Sequence, residues 1–171
     1  EGYSLQEMCD SQGKRMVDTI CDLLIEERLD VAFVARTGNP ENIRTIMKHP
    51  GQMVGSDGLL TGDMPNPRTY GTFPYVLGQA VQDGILTLEQ AVYKMTGAPA
   101  KRLGLRDRGV LRDGAFADIV VFNPETVRAL ATFEDPKQLP VGIETVFVNG
   151  TLVWDNGTHT GALPGRALRR S

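Results

Sequence analysis

Two short apolar runs on either side of an amphipathic segment limit most strictly how this chain can fold. Residues 30–37, DVAFVART, and residues 51–56, GQMVGS, are too short for helices and are typical of buried strands. Between them, Asn39 and Pro40 suit the N-cap and the first position of a helix. The order strand, helix, strand predicts a βαβ unit, and such units build parallel sheets.

An aspartate follows the second apolar run, in the stretch MVGSDGLLTG of residues 53–62. Parallel α/β proteins place their active sites at the carboxyl ends of the strands, which is where Asp57 would lie. An aspartate between serine and glycine is more often a turn or cap residue, because its side chain bonds nearby backbone amides. The pattern alone leaves both interpretations of Asp57 open.

A long polar loop comes next, LLTGDMPNPRTYGT at residues 59–72. Loops of this length without periodicity are either functional or disordered, and the two prolines beside Asn66 indicate a stiff one. From the residues alone, Arg68 is a surface arginine held in place by these prolines.

Helical patterns occupy much of the remaining first part. Residues 14–28 have apolar residues at helical spacing, with Cys21 expected in the core, and residues 73–84 form another helix. Thr87 and Gln90 have the spacing of a capping box, and Pro99 is expected to start a further short turn. The predicted class is therefore α/β over residues 1–105.

The chain becomes β-rich over residues 106–171. ADIVVF, residues 117–122, reads as a strand, and the Asn149-Gly150 pair in IETVFVNGTLVW predicts a hairpin with a type I′ turn. This turn would pair Val148 with Thr151, Phe147 with Leu152, Val146 with Val153 and Thr145 with Trp154.

Composition excludes several classes of partner. With 18 basic and 21 acidic residues the net charge is -3, which gives no reason to expect nucleic acid or an anionic membrane. No apolar stretch approaches the roughly 20 residues of a membrane span, and the N-terminal residues lack the pattern of a secretory signal. Two cysteines outside a CxxC pair indicate reduced thiols, so we predict a cytoplasmic protein.

The histidines are too few for a metal centre. His49 and His159 are the only two, and they lie far apart in the sequence. A catalytic zinc needs about three protein ligands, which this chain does not supply. His49, just before a proline, is expected at the end of a helix, and His159 on the surface.

The order of the motifs MVGSDG, PNPRTYGTFPYVLG, KMTGAPAKRLGL, ADIVVF and GIETVFVNGTLVW resembles the C-terminal part of D-aminoacylases. These are N-acyl-D-amino-acid deacylases of the metal-dependent amidohydrolase superfamily, and the resemblance covers residues 2–170. It implies the last strands and helices of a (β/α)₈ TIM-type barrel, with strands at residues 31–36 and 53–55, followed by part of a small β-sandwich. It also implies a zinc enzyme whose histidine and cysteine ligands lie upstream, in a missing N-terminal part.

The resemblance assigns roles to two residues. Asp57 matches the aspartate of the family's SDG motif, the general acid/base, which can also touch one metal. Arg68 matches the arginine that binds the α-carboxylate of the N-acyl-D-amino acid, a task suited to the planar guanidinium fork. Asn66 stands where the family often has histidine, which leaves any role of that histidine unfilled here.

Two alternatives remain open at this point. A cyclic-amide hydrolase of the dihydroorotase or hydantoinase type would share the barrel and a late aspartate, although the PNPRTYGTFP loop argues against it. The other alternative is a truncated, non-catalytic fragment that acts as an interaction module. As an isolated chain, we predict no hydrolysis.

Overall fold

The computed structural model describes residues 2–31, 33–35 and 38–168. In these residues, seven helices precede one four-stranded antiparallel sheet. The helices are α1 Leu5–Gln12, α2 Met16–Glu26, α3 Pro40–Lys48, α4 Arg68–Leu77, α5 Gln79–Gln82, α6 Leu88–Met95 and α7 Gly97–Leu103. The strands are β1 Ile119–Phe122, β2 Ile143–Val148, β3 Thr151–Asp155 and β4 Thr158–His159. Among the described helices, none combines the length and apolar character that crossing a membrane requires.

The predicted helix starts are confirmed where a side chain caps them. The Asn39 side chain accepts hydrogen bonds from the backbone N–H groups of Glu41 and Asn42, with Pro40 at the first position of α3. The capping box of α6 is also present, because Thr87 accepts from the Gln90 N–H while the Gln90 side chain accepts from the Thr87 N–H. Such caps stabilise a helix by roughly 1 kcal/mol each.

The amphipathic helix expected over residues 14–28 is confirmed as α2. The expectation that Cys21 lies in the core is wrong, because Cys21 is exposed and Thr19 is the residue that α2 buries. The buried thiol is that of Cys9, on α1.

The two strands predicted in the first part are absent from the described residues. Residues 31, 33–35 and 53–55 have no strand hydrogen bonding, and residues 32, 36 and 37 of the first predicted strand lie outside the described residues. An apolar run becomes a strand only when a neighbouring strand accepts its backbone hydrogen bonds. Here the Val54 N–H donates to the Lys94 carbonyl of α6 instead, so the predicted parallel pairing is not formed between the described residues.

The helical core lies around α6. Its buried side chains are Met47, Val76, Ala80, Ile85, Leu86 and Ala91, and the partly buried Val54, Val81 and Met95 pack against them. Complete burial of one such aliphatic side chain stabilises the fold by about 1.5–3 kcal/mol. Helices α3, α4, α5 and α6 and the segment after α3 are therefore held by one apolar cluster.

The hairpin predicted at Asn149-Gly150 is confirmed, and both turn residues have the positive φ angles that a type I′ turn requires, 50° and 79°. Val148 pairs with Thr151 and Phe147 with Leu152, as predicted. The next two predicted pairs are wrong, because the register shifts after Phe147. Val146 faces Trp154 and Thr145 faces Asp155, so β3 carries one extra residue, a β-bulge.

The β-rich part packs on the helical part through residues 127–131. Val127 is fully buried, and its carbonyl lies so close to Gly78 that a side chain there would collide with it. The Gln79 amide donates to the Ala129 carbonyl and accepts from the Ala129 N–H. The segment that follows β1 therefore packs against the junction between α4 and α5.

Candidate active site

The structure brings together the two residues that the sequence singled out. The Arg68 Nη2 atom lies 2.8 Å from Asp57 Oδ2, and Arg68 Nε donates to the Asp57 backbone carbonyl at 2.9 Å. The Asp57 side chain is 83% exposed and that of Arg68 45% exposed, so both are open to a molecule that approaches from solvent. Two contacts to one residue fix the guanidinium to the Asp57 turn.

The local backbone explains how Asp57 reaches Arg68. Asp57 has a φ of 48°, a left-handed conformation that aspartate tolerates better than most residues. The Ser56 hydroxyl accepts from the Gly58 N–H and closes the turn on the other side. This turn presents both the carbonyl and the carboxylate of Asp57 to the start of α4.

Gly58 permits the approach of the turn to α4. A Cβ built on Gly58 would lie 2.9 Å from the Thr69 Cα, closer than real Cβ contacts. Thr69 also donates from its hydroxyl to the Leu59 carbonyl. This close contact requires glycine at position 58, whereas a Cβ on Gly55 would have no neighbour within 4 Å.

Arg68 is the first residue of α4, which begins five residues before the predicted helix at residue 73. The Asn66 side chain accepts from the Arg68 N–H at 3.0 Å, and the Asn66 carbonyl accepts from the Thr69 N–H. A sequence signal was available, because an Asn-Pro pair precedes both helices, although the N-cap is Asn39 in α3 and Pro67 in α4. The Asn66 side chain therefore holds the backbone N–H of Arg68 in the turn that leads into α4.

Lys94 is a buried cation that the sequence pattern did not single out. Lys94 of α6 is only 5% exposed, and its ammonium donates to the carbonyls of His49 at 2.6 Å and Gln52 at 3.1 Å. Burial lowers the pKa of this lysine below its ordinary value of 10.5. The sequence spacing could have predicted this burial, because Lys94 follows the fully buried Ala91 by three residues and lies on the same helix face.

The described residues do not fit a zinc ion by themselves. Within residues 2–31, 33–35 and 38–168, no group of three or more His, Cys, Asp or Glu side chains is placed to hold a metal. The ring nitrogens Nδ1 of His49 and His159 each accept from a backbone N–H, of Gly51 and Gly161 respectively. His49 is the C-cap of α3, as expected.

Comparison with known proteins gives this site its context. A model of the amidohydrolase family matches residues 7–154. The D-aminoacylase of Alcaligenes xylosoxydans xylosoxydans is 42% identical over 171 residues, which is 99% of this chain and 34% of that protein. A crystal structure of a D-aminoacylase superposes with a TM-score of 0.84 at 39% identity, covering 92% of this chain and 32% of that one.

A second solved structure extends the similarity to a zinc-containing relative. It is the N-acyl-D-glutamate deacylase of Bordetella bronchiseptica in complex with zinc and a phosphonate inhibitor. The TM-score is 0.79 at 38% identity, and the match covers 91% of this chain and 32% of that one. The chain therefore spans about a third of the length of these relatives. Together with the family match over residues 7–154, these similarities establish that the chain belongs to the amidohydrolase family.

Proposed function

We propose that this chain is the C-terminal portion of a zinc-dependent amidohydrolase that hydrolyses N-acyl-D-amino acids to a carboxylate and a free D-amino acid. The observation that carries the proposal is the contact between Asp57 and Arg68, at 2.8 Å, in a chain similar to D-aminoacylase over nearly its whole length. This contact supports the proposal, because two side chains 2.8 Å apart can both contact one small substrate.

Asp57 is the general acid/base in this proposal. A water molecule that attacks the amide carbon has to lose a proton, and the departing amine nitrogen has to gain one. One carboxylate can take the first proton and return it to the nitrogen, and the Asp57 side chain is exposed enough to contact both reactants. In this proposal the residues that ligate the zinc lie in the missing N-terminal part of the protein. Asp57 is at most a secondary ligand.

Arg68 binds the substrate α-carboxylate. Its Nε and Nη2 atoms contact Asp57, while Nη1 takes part in neither of these contacts. A substrate carboxylate can bind Nη1, or replace the Asp57 carboxylate at Nη2 while the Nε bond to the Asp57 carbonyl keeps the side chain in place. The second arrangement frees the Asp57 carboxylate for proton transfer when substrate binds.

The remaining part of the protein completes the fold in this proposal. Residues 1–105 are the C-terminal part of a (β/α)₈ barrel, and residues 106–171 are part of a β-sandwich. In this proposal the missing part covers apolar side chains that are exposed here. They are Met16, Val17 and Ile25 of α2, Ile43 and Ile46 of α3, and Phe33, Leu59 and Leu60. The protein is proposed to be cytoplasmic.

The proposal is tested in a chimaera of the Alcaligenes D-aminoacylase in which this chain replaces the aligned third. We expect hydrolysis of N-acetyl-D-amino acids, a fall in kcat of about 10²–10⁴-fold for Asp57→Asn, and a raised KM for Arg68→Met. Asp63→Asn, in the same loop, is the matched control and should leave both constants unchanged. Full activity of Asp57→Asn would refute the assignment, and a preference for hydantoins over acyl-D-amino acids would favour the cyclic-amide alternative.

A further inference from the structure

The two segments that bear the candidate site residues, α4 with Arg68 and the segment that leads to Asp57, both pack against α6. The apolar side chains of α4, α5 and α6 share one core, so α6 supports the helix that begins with Arg68. The segment that leads to Asp57 also lies on α6, since Val54 packs on this core and its N–H donates to the Lys94 carbonyl at 3.1 Å. The distance between Asp57 and Arg68 therefore depends on how each segment is attached to α6.

Lys94 makes three hydrogen bonds to residues 49–54, the segment that leads to Asp57. Its ammonium binds the carbonyls of His49 and Gln52, at the two ends of the turn in which the Gln52 N–H donates to the His49 carbonyl. With the Val54 bond to its own carbonyl, Lys94 contacts three successive points of residues 49–54. Asp57 follows the last of these points by three residues.

The chemistry at Lys94 suits a fixed clamp. A buried ammonium has to satisfy its donors within the protein, because no water replaces a lost partner. The His49 carbonyl also belongs to the C-cap of α3, at the negative end of that helix, which favours a cation. Displacing the turn from α6 would take both carbonyl acceptors from the ammonium and would take the Lys94 donor from the Gln52 carbonyl, so the turn is held firmly.

We propose that Lys94 is a positioning residue for the candidate active site: by clamping residues 49–54 to α6 it sets the position of Asp57 relative to Arg68. The geometric part of the proposal stands by itself, and its catalytic consequence rests on the proposed function. Lys94 touches neither Asp57 nor Arg68 in this scheme and acts through the backbone alone.

The geometric part is tested in the full chain by NMR with ¹⁵N-arginine, which follows hydrogen exchange at Arg68 Nε–H. This group is bonded to the Asp57 carbonyl, so it reports whether the two segments stay together. We expect Lys94→Met to accelerate its exchange about ten-fold, as for loss of roughly one hydrogen bond, and Lys94→Arg, which keeps donors, to restore part of the protection. Lys101→Met, an exposed lysine of α7, should change nothing.

Loss of stability alone has to be distinguished from mispositioning. Leu86→Ala removes a buried core side chain but none of the hydrogen bonds between Lys94 and the turn, and it should lower stability while leaving Arg68 Nε–H protected. If Lys94→Met does not fold, Lys94→Arg and Lys94→Gln, which retain donors, give the comparison. Protection of Arg68 in a folded Lys94 variant equal to that of the wild type would overturn the proposal.

The catalytic part is tested in the chimaera. We expect Lys94→Met to lower kcat about ten- to a hundred-fold, as for a reacting group displaced by roughly 1 Å, with KM changed less. Wild-type kcat would overturn this part. The proposed function and the positioning role of Lys94 can be refuted independently. Full activity of Asp57→Asn would refute the proposed function and leave the exchange result valid. Unchanged exchange at Arg68 in the Lys94 variants would refute the positioning role and leave the role of Asp57 intact.

Discussion

Asp57 combines an exposed charge with an unusual backbone conformation. Its ion pair with Arg68 is open to solvent, and exposed pairs contribute only about 0–1 kcal/mol to stability. The left-handed φ of 48° costs a residue with an ordinary Cβ about 1–2 kcal/mol, and less for aspartate or asparagine, whose short polar side chains bond locally. At this position the backbone conformation therefore affects stability more than the charge does.

Asp57→Ala and Asp57→Asn should accordingly differ in stability. Both remove the charge, but asparagine tolerates the left-handed conformation, so we expect Asp57→Ala to be less stable by about 1 kcal/mol in chemical denaturation. The same two substitutions at Asp63, which lacks a positive φ, should not differ in this way. Equal stability of the two Asp57 variants would contradict the strain argument.

Glu7 gives the chain an acid-sensitive helix start. Its carboxylate accepts from the Ser4 N–H and the Ser4 hydroxyl, each at 2.7 Å, and these bonds lower the pKa of Glu7 below 4.5, the Ser4 N–H more than the hydroxyl. A carboxyl group with a lowered pKa in the folded state stabilises the fold above its unfolded pKa. This contribution is lost as the pH falls through the folded pKa.

Removing the charge at Glu7 should therefore matter only at pH values above the folded pKa of this carboxyl group. Glu7→Gln keeps a capping side chain that does not titrate. We expect the unfolding free energy of the wild type to fall relative to that of Glu7→Gln as the pH drops below 4.5, measured by urea denaturation at several pH values. A difference that is constant with pH would show that the Ser4 contacts do not involve an ionised Glu7.

At the scale of elements, the site depends on a loop that lies against a helix start. The loop at residues 56–59 contacts the first residues of α4 through Arg68 and Thr69, and the Asn66 side chain accepts from the Arg68 N–H. The arrangement needs a residue without a side chain at position 58. Proximity of the loop to α4, more than the ion pair itself, therefore assembles the site.

A matched pair of glycine substitutions tests this arrangement. Gly58→Ala places a Cβ against the Thr69 backbone and should push the turn from α4, lowering kcat of the chimaera about ten- to a hundred-fold. Gly55→Ala adds the same atom where nothing lies within 4 Å, and its effect on kcat should be small. If the two variants have the same kcat, contact between the turn and α4 is not needed for activity.

At the scale of the whole molecule, the β-rich part is joined to the helices by tight backbone packing. Gly78 lies against the fully buried Val127, and Gln79 bonds both backbone groups of Ala129. The hairpin end of the sheet is held separately. There, Arg108 pairs with Asp118, bonds Asn149 and stacks over the Phe116 ring at 4.4 Å.

Gly78→Ala should loosen this junction. The added methyl group collides with the Val127 carbonyl, so we expect a loss of about 1–3 kcal/mol in unfolding free energy, or more if the junction opens. Gly165→Ala, with no atom within 4 Å of the added Cβ, should stay within about 0.5 kcal/mol of the wild type. Thermal or urea denaturation followed by circular dichroism measures both, and equal stabilities would refute the packing argument.

The sequence by itself determined the features whose cause lies within a few residues. The caps at Asn39 and Thr87 and the turn at Asn149-Gly150 were predictable, because each depends on a side chain or φ preference of the residues that form it. The motif order also indicated the family. The start of α4 at Arg68 belongs to this class, although its Asn66-Pro67 signal was missed.

Only the tertiary structure decided the features that need a partner distant in the sequence. The runs at residues 31–36 and 53–55 have strand-like composition, but the described residues offer no strand to pair with them, and Val54 bonds Lys94 instead. The contact of Asp57 with Arg68 and the clamp at Lys94 likewise join segments 11 and 42–45 residues apart. Such contacts form through the shared packing on α6, which no local pattern encodes.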